Sequence, residues 1–329
     1  MSDSKKKILL PSTMARVGWE LIEQRANTEA IAFEASIAPA TFHALLADAD
    51  AVGLSLTPFG DAELDAGPKV RVVARHGVGY DNVDVPALTR RGIPLMVTGK
   101  ANSPSVAEQA LFFMLSYAKR GAALDSMVRE GRWAERFKEA LPIDLFGKNV
   151  LIVGFGRIGT RLARACLALG MKVLVYDPYV RAALIEAAGC ANERELDAAL
   201  CKADFVSIHC PRTPETESMF NADRLAKMKP SACLVNTARG GIVDDTALAA
   251  ALANGTIAAA GLDVFDREPP EAGNPLLAAA KIEFAPHMAG VSRESLDRMS
   301  IAVAKNILSV LDGKPNLDNV INKEVLVHR

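Results

Sequence analysis

Four apolar residues, Val150 to Val153, lead directly into Gly154-Phe155-Gly156-Arg157-Ile158-Gly159, and apolar side chains then recur at helical spacing through Ile158, Leu162, Cys166 and Leu169. A strand, a tight glycine turn and a helix in immediate succession leave few folding solutions. The helix must cover the strand, and the next strand must run parallel to the first. The same alternation of short strand and helical pattern extends in both directions along the chain. The sequence therefore predicts an α/β protein with two doubly wound parallel-sheet domains.

In the first hundred residues the expected strands are Lys7 to Leu10, Ala30 to Ala35, Ala51 to Leu56, Val70 to Arg75 and Leu95 to Thr98, a flavodoxin-like unit. A long helix starts near Ser103-Pro104, where serine can cap and proline suits the first turn. Beyond it lie six more strands: Val150 to Val153, Lys172 to Tyr176, Phe205 to Ile208, Cys233 to Asn236, Ala258 to Val264 and Ile282 to Phe284. Six strands with intervening helices fit a Rossmann domain. A last amphipathic helix, Ser292 to Leu311, is expected to return to the first unit. The predicted division is a discontinuous substrate domain, 1–101 with 291–329, and a nucleotide domain, 102–290.

Composition narrows the partners. The 38 basic and 39 acidic side chains nearly cancel and aromatics are only 5%, so neither nucleic acid nor an anionic membrane is expected. Neither a leader peptide nor a membrane span is expected, because Pro11 interrupts the first apolar run and no later stretch is long enough. The five cysteines are widely spaced and odd in number, so the expectation is reduced thiols, no metal site and a cytoplasmic protein.

In the glycine turn, Gly154 permits the bend, Gly156 lets backbone approach a pyrophosphate and Gly159 lets helix pack closely on strand, while the helix N-terminus favours the phosphate charge. Asp177, at the end of the second strand, would accept hydrogen bonds from the adenosine ribose and repel a 2′-phosphate, which favours NAD over NADP.

Three further residues follow strand ends, where such sheets gather their ligands. Arg239 lies in Asn236-Thr237-Ala238-Arg239-Gly240-Gly241, Glu268 in Asp266-Arg267-Glu268-Pro269-Pro270, and His287 in Pro286-His287-Met288-Ala289-Gly290. Singly, each would be read as an ordinary loop residue. Together they supply what hydride exchange on a 2-hydroxy acid needs. A histidine gives or takes the hydroxyl proton, a carboxylate fixes its tautomer, and an arginine fork holds the substrate carboxylate. His209, at another strand end, is a minor catalytic candidate, and His43 and His328 read as surface residues. The turn Arg75-His76-Gly77-Val78-Gly79 could offer amides as an anion nest, with Arg75 as the one cation at hand for a phosphate.

RHGVGYDNVD (75–84), SVAE (105–108), GFGRIG (154–159), NTARGGIVD (236–244), GLDVFDREPP (261–270) and PHMAG (286–290) occur in this order. With them the chain resembles the D-isomer-specific 2-hydroxyacid dehydrogenase family, and within it the catalytic cores of the phosphoglycerate dehydrogenases. The resemblance implies Arg239, Glu268 and His287 as the catalytic trio. It implies NAD contacts from Thr98, Gly154, Gly156, Arg157, Ile158, Gly159, Asp177, Cys210, Thr237, Ala238, Asp263 and Gly290, and substrate contacts from Arg75, His76, Gly77, Val78, Gly79 and Arg239. It also implies domain closure over the substrate and a homodimer formed through the nucleotide domain, with the segment 122–145 reaching the partner. D-3-phosphoglycerate is the favoured substrate. Hydroxypyruvate or glyoxylate reduction and a non-catalytic NAD(H)-sensing role are the alternatives. Two departures from the family pattern are Gln109, where many members carry histidine after SVAE, and a chain that stops soon after its last helix. No feedback through a regulatory domain is expected.

Overall fold

The computed structural model describes residues 5–326, so the surface reading of His328 lies outside the described residues. The chain divides into two compact units, Met1–Asn102 with Val291–Arg329 and Ser103–Gly290.

The first unit carries β1 (Lys6–Pro11), β2 (Thr28–Phe33), β3 (Ala51–Leu54), β4 (Val73–Arg75) and β5 (Leu95–Met96). All pair in parallel in the order β2-β1-β3-β4-β5. Alternate residues of β1 explain why it is central. Leu9 enters one apolar cluster with Phe42 and Val52, whereas Ile8 and Leu10 enter another with Val303 and Ile307 of the helix Arg293–Leu311. A strand stretch buried on both faces must be apolar, as Ile8 to Pro11 are, while Lys6 and Lys7 at the start of β1 are only partly buried. Ser292 starts that helix by accepting a hydrogen bond from the Ser295 amide at 3.0 Å.

The second unit carries β6 (Asn149–Val153), β7 (Lys172–Tyr176), β8 (Ala191–Asn192), β9 (Phe205–Ile208), β10 (Cys233–Asn236), β11 (Ala259–Leu262) and β12 (Ile282–Phe284). Their order is β12-β11-β10-β9-β6-β7-β8, so the direction of winding reverses between β6 and β9. At such a reversal, neighbouring loops diverge to opposite faces and leave a slot beyond the strand ends. Leu151 and Val153 of β6 join the cluster on one face of the sheet, Val150 and Ile152 the cluster on the other. The helix Gly159–Ala168 buries Gly159, Leu162, Ala163 and Cys166.

Three details differ from the sequence reading. The sheet has a seventh strand, β8. Several strands are shorter than their apolar runs, with β11 spanning only Ala259–Leu262. Leu169 is 41% exposed, past the end of the helix face it was expected to share. Among the described residues, no helix is long and apolar enough to cross a membrane, no cluster of residues suits a metal ion, and the five cysteines are free thiols.

Candidate active site

The glycine turn after β6 is built as its residue types require. Gly154 has φ +98°, and a Cβ there would stand 2.8 Å from both His209 C and Cys210 N in the loop after β9. A Cβ on Gly159 would meet Gly154 O at 2.1 Å. Gly156, in contrast, faces open space, and among the described residues no acceptor takes the Gly156 or Ile158 amide. Two open amides at the start of a ten-residue helix form a cradle for a phosphate anion. Arg157, beside them, is exposed.

Asp177 fixes this turn from the next strand. Its Oδ2 accepts from the Phe155 amide at 2.7 Å and its Oδ1 from the Tyr179 amide at 2.9 Å. A cavity of about 180 Å³ opens beside it, lined by Tyr176, Asp177, Pro178, Val180, Asn192, Glu193 and Arg194. Glycine turn, open amides and a carboxylate-lined cavity in one row suit a dinucleotide. The loop after β9 runs against Gly154, with Cys210 half-buried and its thiol pushed up to about 11 by burial. His209 donates its backbone amide to Val153 O at 2.7 Å, and its Nε2 lies 2.9 Å from Ser207 Oγ. Burial lowers its pKa to about 3, so the ring is neutral at ordinary pH. A neutral ring hydrogen-bonded to a serine is a packing element and a poor proton donor.

The three strand-end residues all belong to the second unit. Glu268 and His287 meet: His287 Nδ1 lies 2.6 Å from Glu268 Oε2, and the other carboxylate oxygen accepts from the Phe265 amide at 3.1 Å. The carboxylate is therefore anchored, and it leaves Nε2 as the histidine's outward nitrogen. Both side chains are substantially exposed, 37% and 48%, and an ion pair so exposed adds little to stability. What the pair provides is orientation. His287 also has φ +54°, a left-handed conformation that costs a non-glycine residue energy.

Asp263 holds that conformation. It is almost fully buried, and its carbonyl accepts from His287 N at 2.8 Å. Its carboxylate oxygens accept from the amides of Met288 at 2.7 Å and Ala289 at 2.9 Å. Burial raises its pKa, and those two amide bonds oppose the rise. The resemblance implies a cofactor contact for Asp263; its part in clamping the histidine loop comes from the structure.

Arg239 stands on the neighbouring loop. Asn236, at the end of β10, donates from Nδ2 to Arg239 O at 2.9 Å and accepts from Ala238 N at 3.0 Å, so a buried amide side chain shapes the turn. The arginine's Nη1 donates to Ala238 O at 2.7 Å. The next residue joins this loop to that of Glu268: a Cβ on Gly240 would stand 1.7 Å from Phe265 O. Thr237 is buried with its hydroxyl lacking a hydrogen-bond partner among the described residues, a polar group suited to a ligand. Gly290 closes the loop that begins at Pro286. A separate cavity of about 520 Å³ contains none of the trio, and its charged lining sets five carboxylates, Glu217, Asp244, Asp245, Asp266 and Glu271, against Arg212 and Arg267, which disfavours an anionic substrate.

In the first unit, Arg75 is buried beneath its loop and donates from Nη1 to the carbonyls of His76 at 2.9 Å and Leu54 at 3.3 Å. His76 is buried as well, while Gly77, Val78 and Gly79 are partly exposed. Among the described residues no acceptor takes the amides of Val78, Gly79 or Tyr80. Thr98 donates its amide to Gly77 O at 3.0 Å, and its buried hydroxyl has no hydrogen-bond partner among the described residues.

The family described as D-isomer specific 2-hydroxyacid dehydrogenase, NAD binding domain, matches residues 111–289. Over 289 residues the chain is 40% identical to D-3-phosphoglycerate dehydrogenase of Mycobacterium tuberculosis (strain ATCC 25618 / H37Rv), which covers 86% of this chain but 54% of that protein. The chain thus spans about half the length of the phosphoglycerate dehydrogenases it matches. It is also 40% identical over 284 residues to glyoxylate reductase of Korarchaeum cryptofilum, covering 85% of this chain and 84% of that one. Among solved structures, an NADPH-dependent glyoxylate/hydroxypyruvate reductase from Sinorhizobium meliloti superposes with a TM-score of 0.84 at 30% identity, covering 96% and 98% of the two chains.

Proposed function

This chain belongs to the D-isomer specific 2-hydroxyacid dehydrogenase family, and from that premise we propose that it exchanges hydride between NAD(H) and small D-2-hydroxy acids or their 2-keto counterparts. Bound NADH would supply the hydride to C2 of a keto acid. His287 gives the carbonyl oxygen its proton from Nε2, so that a C–H and an O–H bond form as the C=O double bond is lost; in oxidation it takes the proton back. Glu268 keeps Nδ1 protonated and turned inward. Arg239 orients the substrate carboxylate and polarises the carbonyl. The observation that carries this reading is the 2.6 Å contact between His287 and an anchored Glu268 on a loop held in a strained conformation. The turn 154–159 with Asp177 would hold the dinucleotide, helped by Cys210, Thr237 and Ala238, and the amides at 78–80 would take the carboxylate as an anion nest.

D-3-phosphoglycerate is the first substrate of this reading. The unphosphorylated acids hydroxypyruvate and glyoxylate form the second, favoured by Arg75, the cation expected for a phosphate, being buried and bonded to backbone carbonyls. A homodimer through the second unit belongs to the same proposal. It is supported by the exposed Val128, Trp133, Phe137, Leu141 and Ile143 within the segment expected to reach a partner. A cytoplasmic location is supported by the five free thiols.

The deciding experiment assays NADH and NADPH oxidation with 3-phosphohydroxypyruvate, hydroxypyruvate, glyoxylate and pyruvate, alongside His287→Gln and Arg239→Lys. Turnover that His287→Gln lowers by roughly 10² to 10⁴ with NADH binding retained would support the assignment. Absence of turnover on every acid, with NADH bound, would replace it with the NAD(H)-sensing role.

A further inference from the structure

His76 is a buried titratable residue that the proposed chemistry does not use, and its ring contacts lie far from it in sequence. Nε2 is 3.1 Å from Ser300 Oγ in the helix Arg293–Leu311, and the same oxygen accepts from the Ala15 amide at 2.9 Å. One ring thus ties the 75–80 turn to a helix and, through a shared oxygen, to the residue preceding the helix Arg16–Glu23. Ser300 cannot yield easily, because it is fully buried and a Cβ on Gly18 would stand 2.7 Å from its carbonyl oxygen, so the two helices meet backbone to backbone there.

The rest of the turn is held by its backbone. His76 N donates to Leu54 O at 2.7 Å, His76 O accepts from Arg75, and Gly77 O accepts from Thr98 N. Val78, Gly79 and Tyr80, whose amides have no acceptor among the described residues, follow immediately. Amides can bind an anion only when their directions are fixed before it arrives, since ordering them on binding would cost affinity.

We propose that His76 and Ser300 form a positioning pair that sets the 78–80 amides for the substrate carboxylate, a claim that rests on the hydroxyacid dehydrogenase reading above. In this scheme His76, buried against Ser300, is not the direct substrate contact that the resemblance implies, and the pair touches neither substrate nor cofactor, so its loss should appear in substrate KM.

The test compares wild type, His76→Leu, Ser300→Ala and the double variant on whichever keto acid the wild type reduces. Each single variant is expected to raise KM about tenfold, with kcat within about twofold and NADH Kd unchanged. The double variant should match a single one and not reach the product of the two, because either change alone breaks the same link. His76→Gln, which can still reach the serine, should restore most of the affinity. Unchanged KM in a folded Ser300→Ala, or multiplicative effects in the double variant, would overturn the proposal while leaving the enzyme reading intact. If His76→Leu does not fold, KM in Ser300→Ala decides. Wild type inactive on every keto acid would overturn both.

Discussion

The carboxylate of Asp263 closes on the loop of His287, accepting the amides of Met288 and Ala289 at 2.7 and 2.9 Å, while its carbonyl takes the His287 amide at 2.8 Å. Three bonds from one buried residue over-determine the backbone of the proposed acid/base and explain how a histidine persists at φ +54°. In Asp263→Asn one side-chain oxygen becomes an amino group that faces a backbone N–H, leaving a buried donor pair unsatisfied at a cost of about 1–3 kcal/mol. The variant should lose about tenfold or more in kcat while the fold persists. Wild-type kcat in a folded Asp263→Asn would show that the loop needs no clamp.

Gly240 makes a second mechanical link. With its would-be Cβ 1.7 Å from Phe265 O, Gly240→Ala must separate the Arg239 turn from the segment whose Phe265 amide anchors Glu268. Overpacking of this kind costs about 1–3 kcal/mol. The expected result is a fall in kcat of about tenfold or more with NADH affinity nearly kept, since the 154–159 turn lies on other strands. Steady-state kinetics beside NADH fluorescence titration would check it, and equal losses in both would point to general collapse of the unit.

Much of this architecture was legible in the sequence, and the exceptions share a cause. Gly154, Gly156 and Gly159 announced themselves because a strand, a turn and a helix each impose a local pattern, and Arg239, Glu268 and His287 could be placed because strand ends can be read from the same pattern. Strand β8 escaped because two residues, Ala191 and Asn192, carry no periodicity and no β-branched side chain. The clamp at Asp263, the close approach at Gly240 and the burial of Arg75 and His76 depend on which segments meet in space. No spacing rule encodes that.

Stability should fall on mild acidification. Burial, aided by the Arg75 charge, lowers the His76 pKa to about 4, and burial lowers that of His209 to about 3. The unfolded chain titrates these groups near 6.5, so below that pH it binds protons that the folded chain refuses. Their contribution is complete above pH 6.5 and is lost as pH falls toward 4 and 3, at about 2 kcal/mol per histidine by pH 5. The histidines of the unfolded chain take up their protons across the interval from about 6.5 to 5. Urea midpoints should drop across it, less steeply in His76→Gln. A midpoint that stays constant between pH 7 and 5 would contradict neutral burial of both rings.

Asp177 is the residue on which cofactor choice should turn. Both its oxygens already accept amides, from Phe155 and Tyr179, so the carboxylate is fixed in place beside the 180 Å³ cavity. A 2′-phosphate brought there meets like charge that cannot swing away, whereas ribose hydroxyls can donate to its remaining lone pairs. Asp177→Ala removes the repulsion and the two tethers together. NADH should bind more weakly as the turn loosens, and the NADH-to-NADPH ratio of kcat/KM should fall by about tenfold or more. Asp177→Asn separates the two effects, because it retains one acceptor oxygen yet carries no charge: discrimination should relax with a smaller loss of NADH affinity. If both variants keep the wild-type ratio, the ribose is read by another group.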